Sequence, residues 1–369
     1  MSSMYVKGGG EVPHAGTVDV SLYAAGTGLI AFDLDNTLAR SKMPMLEHTA
    51  DLFASLTHIL PVAIVTGGRF ELIESQVLDA VQQNAYLPHL ALLPTTGTSY
   101  YTWNGHAFTR EYAVELTADQ RKRACCVLEK YAKKYGLWQE PAEGGHIEDR
   151  GSQITFSALG AHARADRKEV WDPDGSRRAP LAARAQELLP ELTVRVAGGT
   201  SIDVYSRGVD KAYAVEKLAE LHHIRVQDIV FVGDRMTPGG NDYPAAQAGV
   251  RALRVDSPRD TEVFMQEFME SYTRGLRMNV RTQELWVHGD LVDISPTEFS
   301  LLCALLHSGG RVMSRQQLLS DAWGYADSGD TRLLSVSIAR LRSIIEDNPR
   351  MPQRILTVRG GGYRFVHAG

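Results

Sequence analysis

Two carboxylates, Asp33 and Asp35, stand two positions apart in Phe32-Asp33-Leu34-Asp35-Asn36-Thr37-Leu38, directly after the apolar run 29–32. At a strand end such a pair can divide the work of a displacement. One carboxylate attacks as nucleophile, while the other protonates the leaving oxygen and later activates water. Phosphate monoester hydrolysis suits this division, because the unaided reaction is very slow and a covalent aspartyl-phosphate splits it into two easier steps. Asp33 is the expected nucleophile and Asp35 the expected acid and base. A lone Asp-x-Asp also suits a solvated turn, so the surrounding elements decide its meaning.

The apolar runs 29–32 and 62–65 each end in a polar or Gly-rich turn, with an amphipathic stretch between them, which is a βαβ pattern. A third run, 228–232, follows the helix-like segment 211–223 and leads into Gly233-Asp234. Buried parallel strands therefore frame residues 29 to about 260. The middle, 98–197, instead mixes short alternating strands (153–157, 192–196) with charged helices (118–135, 179–189). It reads as an α+β insert between the halves of a parallel core, 29–97 and 198–273.

Further motifs follow in a fixed order: Thr66-Gly67-Gly68-Arg69 closing the second strand, Asp210-Lys211, and Gly233-Asp234 through Gly239-Gly240-Asn241-Asp242. Together with Asp33 and Asp35 they resemble the haloacid dehalogenase (HAD) superfamily of phosphatases. The resemblance implies that Thr66 hydrogen-bonds the transferring phosphoryl group and that Lys211 neutralises nucleophile and phosphate. It also implies Mg²⁺ as cofactor, with Asp33, Asp234 and the Asp35 backbone carbonyl as ligands and Asp242 direct or through water; a hard, oxygen-preferring cation fits such donors. Asn36 stands where relatives usually have Gly, and Asn tolerates the left-handed backbone better than other side chains.

The segments 148–160 and 198–204, with 238–242, are similar to the eukaryotic phosphomannomutase-like subgroup, which carries a Cof-type α+β cap. In those mutases an arginine that grips a distal phosphate follows the segment that here reads Ser157-Ala158-Leu159-Gly160; here Ala161 follows it. A mutase must hold phosphate at both ends of its intermediate, so hydrolysis of a small monoester, such as a sugar phosphate, is preferred to phosphate migration. Gly67, Arg150, Ser201, Asp203 and Asn241 are the candidates for substrate contact, with an ion pair to Glu148 or Asp149 the alternative role of Arg150.

From about residue 274 the pattern changes. Alternating strands (276–281, 284–288) precede Ser295-Pro296-Thr297-Glu298, a capping box that opens a helix to Leu306. A second helix (314–322), a third (331–346) and a Gly-turn hairpin (355–365) complete the tail. Residues 274–369 resemble the OmpR/PhoB-type winged helix-turn-helix domain of response regulators, most specifically in Leu341-Arg342 and in Thr357-Val358-Arg359-Gly360 with Gly362-Tyr363-Arg364-Phe365. The third helix would then enter the major groove of double-stranded DNA, with Leu334, Ile338, Leu341 and Ile345 toward the core. Arg340 and Ser337 would meet bases or groove wall, Arg332 and Arg342 phosphates, Thr357 the backbone, and Arg359 on the wing the minor groove.

The expected fold is thus α/β: a Rossmann-like HAD core with an inserted cap, then a winged helix, with residues 1–28 a flexible head. A net charge of −5 over 369 residues conceals an asymmetry. From Leu276 onward there are 11 Arg, no Lys and 9 acidic residues, about +2, leaving about −7 for the rest. So small a positive charge predicts weak monomer binding that improves with dimerisation or tandem sites. Three cysteines give no disulfide framework and no zinc spacing, and read as buried small hydrophobes. No signal peptide and no run of roughly 20 apolar residues is present, which makes the expected location cytoplasmic and excludes a membrane partner. The reading that results is a transcriptional regulator whose HAD domain hydrolyses or senses a small phosphorylated metabolite. The alternatives are a metabolic phosphatase or mutase with an accessory DNA-binding tail, and a regulator whose HAD site only binds ligand.

Overall fold

The computed structural model describes residues 10–324 and 331–367. The core opens with a short helix α1 (Val20–Ala24), then β1 (Leu29–Phe32), α2 (Glu47–Thr57), β2 (Val62–Val65), α3 (Phe70–Ile73), α4 (Asp79–Val81), β3 (Leu90–Leu93), β4 (Ser99–Trp103) and β5 (Phe108–Ala113). The cap follows: α5 (Ala118–Lys134), β6 (Ile147–Asp149), β7 (Gln153–Ser157), α6 (Ala165–Trp171), α7 (Ala179–Leu188), β8 (Leu192–Ala197) and β9 (Ser201–Ser206). The chain returns to the core through α8 (Lys211–Leu221), β10 (Ile229–Gly233), α9 (Tyr243–Gln247), β11 (Arg251–Arg254) and α10 (Pro258–Tyr272). The C-terminal part is β12 (Leu276–Asn279), β13 (Glu284–Val287), β14 (Asp290–Val292), α11 (Pro296–His307), α12 (Arg315–Trp323), α13 (Thr331–Ile345), β15 (Ile355–Val358) and β16 (Gly362–Phe365).

The core sheet has the order β11-β10-β1-β2-β3-β4-β5, parallel as far as β3 and antiparallel beyond it. β1, β2 and β10 are buried along their whole length, as strands covered by helices on both faces must be. The cap sheet has the order β6-β7-β9-β8. The seam between core and cap thus differs from the expected 98–197. The hairpin 99–113 completes the core sheet, and β9 pairs with β7 and β8 in the cap. Strand alternation reads the same in either sheet, so pairing partners alone fix the assignment.

Residues 10–28 are packed rather than flexible. Val12, Ala15, Val20, Tyr23 and Ala24 are buried, and the Arg251 guanidinium donates to the carbonyls of Tyr23 and Ala25, tying the end of α1 to β11. The remainder of the expected flexible head, residues 1–9, lies outside the described residues. Cys303 is buried as expected, but Cys126 is exposed and Cys125 half-buried on α5. Among the described residues no helix is long and apolar enough to cross a membrane.

The C-terminal part does not hang free. Leu276, Met278, Phe299 and Phe365 belong to the same apolar cluster as Phe32, Phe53 and Phe268 of the core. Arg281 makes a bidentate ion pair with Asp51 of α2 (Nε to Oδ1 2.7 Å, Nη2 to Oδ2 2.8 Å), and the Val280 N–H donates to Ser55 Oγ. At the C-terminus of α11, His307 stacks on Tyr86, and its Nε2 lies 2.8 Å from His58 Nδ1. Burial holds the His307 imidazole down to about 2 and His89 to about 4, and also lowers His58; His58 and His89 lower His307 further, and His58, His222 and Arg311 lower His89 further. These folded-state values lie below the unfolded value near 6.5, so the stability they contribute is present above about pH 6.5 and declines as pH falls towards them. Each imidazole then costs up to about 1.4 kcal/mol per pH unit. Between pH 7.5 and 5.5 the melting temperature is expected to fall, and His307→Gln to flatten that dependence. An unchanged slope in the variant, with the fold intact, would remove His307 as the cause.

Candidate functional site

Parallel strands deliver their chemistry at their carboxyl ends, and three adjacent ones do so here. Asp33 follows β1, Thr66 follows β2 and Asp234 follows β10. Lys211 is the first residue of α8, behind an Asp210 N-cap whose carboxylate accepts from the Ala212 and Tyr213 N–H groups. Its ammonium, fully buried, donates to Asp33 Oδ1 and to Asp242 Oδ1, the latter at 2.5 Å. Asp242 is itself fully buried, and its Oδ2 accepts from the Arg235 N–H at 2.9 Å. A Cβ on Gly233 would sit 2.6 Å from Asp242 Oδ2, so only glycine lets β10 end this close to the carboxylate. Asn36 adopts φ 61°, the left-handed backbone anticipated for it, and its side-chain Oδ1 accepts from the Ser41 N–H.

The electrostatics follow from burial. Asp33 is raised well above the usual carboxylate range by desolvation; Lys211 pulls it back, while Asp242 and Asp234 push it up further. Asp234 is pushed up to about 6, chiefly by desolvation and then by Asp242. Burial by itself would lower Lys211, but Asp242 and Asp33 outweigh it and hold the ammonium protonated. Carboxylate oxygens of Asp33, Asp234 and Asp242 lie within 4.8 Å of one another. Three acidic groups so close, facing one lysine, form an oxygen-donor set short of positive charge, which suits a hard divalent cation.

Asp33, Asp35, Thr66, Gly67, Arg150, Ser201, Asp203, Asp234 and Asn241 all line one cleft of about 310 Å³ between core and cap, and Lys211 and Asp242 sit buried against Asp33. The expected residues are therefore brought together from both domains. Asp35 Oδ1 accepts from the Lys42 N–H at 3.0 Å and from Gln76 Nε2 at 3.4 Å. Thr66 Oγ1 accepts from the Gly68 N–H. Arg150 lines the cleft and makes the ion pair given as its alternative role, donating to Glu148 from Nε and Nη2. Asp203 accepts from Thr155 Oγ1, and Ser201 Oγ meets Ser157 Oγ at 3.1 Å. Sequence reasoning missed Lys42, Lys168 and Arg195 in the lining, because none of them sits in a motif. It also missed Gln76, a buried side chain that bonds Asp35 together with the carbonyls of Arg40 and Met43.

In the C-terminal part the capping box of α11 is present, with Ser295 Oγ accepting from the Glu298 N–H. On α13, Leu334, Ile338, Leu341 and Ile345 are buried, and Arg332, Arg340, Leu333 and Val336 are exposed. Ser337 departs from expectation. It is only 7 % exposed, because three residues beyond Leu334 it shares the helix's inward face, and so it does not reach a groove from this position. Arg342 is also committed within the fold, donating to the Ile355 carbonyl and to Thr357 Oγ1, which pins the hairpin β15-β16 to the helix. Thr357 and Arg359 are exposed on that hairpin. Leu333 and Val336, 45 % and 51 % exposed, are large apolar side chains on the open face, which the sequence reading overlooked.

Comparison with known proteins accounts for both halves. The family model described as Eukaryotic phosphomannomutase matches residues 49–271, and Transcriptional regulatory protein, C terminal, matches 289–365. The DNA-binding response regulator MtrA of Mycolicibacterium smegmatis is 39% identical over 89 residues, 24% of this chain and 39% of that protein. The sensory transduction protein RegX3 of Mycobacterium bovis is 43% identical over 90 residues, 24% of this chain and 40% of its own length. The chain thus spans about two fifths of the length of each of these two curated relatives. Among solved structures, Plasmodium falciparum IMP-nucleotidase aligns with TM-score 0.53 at 16% identity, covering 68% of this chain and 71% of that one, which is a likeness of fold. With more than half of its 369 residues matched, the chain belongs to the eukaryotic phosphomannomutase family, as a HAD phosphatase-like domain fused to a C-terminal OmpR/PhoB-type winged-helix domain.

Proposed function

We propose that this protein is a DNA-binding transcriptional regulator whose HAD domain hydrolyses a small phosphate monoester through an aspartyl-phosphate. The observation that carries the enzymatic half is the buried Asp33–Lys211–Asp242 network, with Asp234 beside it, opening into a cleft of small-molecule size. A carboxylate of Asp33 attacks phosphorus as the bond to the leaving oxygen breaks, and Asp35 gives that oxygen its proton. Water then attacks the phosphorus of the acyl phosphate, Asp35 takes the water's proton, and the bond to Asp33 breaks to release phosphate. Thr66 and Lys211 hold the transferring group. Asp33, Asp234 and the Asp35 carbonyl, with Asp242 direct or through water, would hold Mg²⁺, which would supply the remaining positive charge. Simple hydrolysis is favoured over phosphate migration, and the domain boundaries we favour put the cap at about 114–207.

The full chain with Mg²⁺ is expected to hydrolyse an aryl phosphate and to lose that activity on chelation. No turnover by a folded chain would leave the HAD domain a ligand sensor. Double-stranded DNA is the proposed partner of α13 and the β15-β16 hairpin, with dimerisation on DNA raising affinity and a cytoplasmic location following from these roles. Because α2 follows the Asp33–Asp35 loop and carries Asp51, it is the element through which cleft occupancy would reach the winged helix.

A further inference from the structure

We infer that Gln76 is a positioning residue for the reaction: it holds the turn 40–45 at the cleft mouth so that the Lys42 N–H fixes the Asp35 carboxylate for proton transfer. This rests on the phosphatase reading and adds to it a residue that works through Asp35 without touching the substrate.

Asp35 is half-buried, and the chain that follows it is thinly packed. Arg40, Lys42, Met43 and Pro44 are exposed, and Met45 is the first buried residue after Ala39. A segment with so little burial frays unless hydrogen bonds hold it. Yet Asp35 Oδ1 accepts a 3.0 Å hydrogen bond from the Lys42 N–H, and Lys42 makes it at φ 60°, a left-handed backbone unfavourable for a lysine. Gln76 grips this turn at both ends. Its Nε2 donates to the Met43 carbonyl at 3.1 Å, with the Arg40 carbonyl at 3.5 Å and Asp35 Oδ1 at 3.4 Å as longer contacts. Its own main-chain carbonyl accepts from the Met45 N–H at 2.8 Å, and within the turn the Met43 N–H donates to the Arg40 carbonyl, also at 2.8 Å. The side chain comes from a five-residue π turn, Glu74–Leu78, between α3 and α4, a wider winding than the α-helix that re-aims the residues it carries. Packing does not account for the amide. Gln76 is only 1 % exposed, and among the described residues its Oε1 has no hydrogen-bond donor, a cost that a methionine of similar size would avoid. Turning the amide over would set Oε1 against three oxygens, so the Nε2 end must face Asp35 and the turn. Asp35, Ser41 and Lys42 line the cleft and Gln76 stands behind them, so its influence on the reaction passes through Asp35.

A proton from Asp35 matters most when the leaving oxygen is strongly basic, and that separates positioning from general support of the fold. The test uses the full chain with Mg²⁺ and two compounds of similar size: benzyl phosphate, whose alkoxide needs the proton, and p-nitrophenyl phosphate, whose phenolate leaves without it. Gln76→Met is expected to lower kcat/KM for benzyl phosphate by about tenfold or more, while that for p-nitrophenyl phosphate stays within about twofold of wild type. For p-nitrophenyl phosphate kcat and KM should fall together, because Asp35 must still activate the water that cleaves the aspartyl-phosphate after the phenolate has left. Gln76→Asn, which keeps an amide but shortens its reach, should show the same split in smaller degree. In Gln76→Met the Lys42 N–H should exchange with solvent about tenfold faster or more, while the amides of α2 exchange as in the wild type and so report an intact fold. Equal falls in kcat/KM on both compounds, or none on either, overturn the inference. Absence of wild-type turnover sinks the phosphatase reading instead, and hydrogen exchange then decides the clamp by itself: faster exchange at Lys42 keeps it, and an unchanged rate overturns it.

Discussion

Asp33→Asn is expected to lower hydrolysis of any phosphate monoester by about 10³-fold or more, because a carboxamide cannot form the acyl phosphate. The same substitution is expected to leave the melting temperature unchanged or raised when no divalent cation is present. The Asp33 carboxyl lies above its ordinary range, first through burial, so its ionised form opposes folding at neutral pH, and a neutral amide removes that opposition. Lys211→Met should behave in the opposite way. It leaves Asp33 and Asp242 buried and facing each other without a cation, and breaking such a network costs about 3–5 kcal/mol. Activity and stability should therefore part company in Asp33→Asn and fall together in Lys211→Met. Hydrolysis by purified Asp33→Asn within tenfold of wild type would show that Asp33 is not the nucleophile. A Lys211→Met chain melting with the wild type would show that the lysine is not what stabilises the two carboxylates.

How far the sequence could be read depended on whether a residue's role is set locally. Asp33, Thr66 and Asp234 each follow an apolar run, and a parallel strand needs such a run, so their convergence at one sheet end was legible. Lys42, Lys168 and Arg195 meet in the cleft only because the cap folds over the core, and no spacing within either segment carries that information. The hairpin 99–113 alternates in the same way whichever sheet it joins. Residues 10–28 looked flexible because glycines and polar residues dilute a few apolar side chains, and what orders them is Arg251, far along the chain. The contact between the halves escaped notice for the same reason: Arg281, His307 and Asp51 are ordinary surface residues until the two folds meet. Ser337 is a different kind of miss. The helical period from Leu334 already put it inward, but resemblance assigned it to the groove.

That last difference sets the pattern expected on DNA. Arg340→Ala should weaken binding by about 10–100-fold on a duplex selected from a random pool by the wild-type chain, about 1–3 kcal/mol for a groove contact. The Arg340 side chain is 70% exposed, and its one ion pair among the described residues, with Glu298, is long at 3.8 Å, so the guanidinium can turn to the groove. Arg359→Ala on the exposed hairpin should weaken binding as well, and if that guanidinium neutralises a phosphate, its removal would lower the salt dependence by about one unit of slope. Ser337→Ala should change affinity less than twofold, since the hydroxyl lies on the buried face. Arg342→Ala should cost both affinity and melting temperature, because its guanidinium joins α13 to the β15 carbonyl and hydroxyl that fix the hairpin. Anisotropy titrations at one fixed salt concentration would decide. If the double variant Arg340→Ala, Arg359→Ala binds within twofold of wild type, α13 is not the reading helix. Binding should not require the two halves to separate. Arg340, Val336 and Leu333 remain exposed with the HAD domain docked on β12 and α11, so the docked form already presents the face proposed to meet DNA. Cleft occupancy would then act by tilting or stiffening that presentation through α2, not by uncovering it.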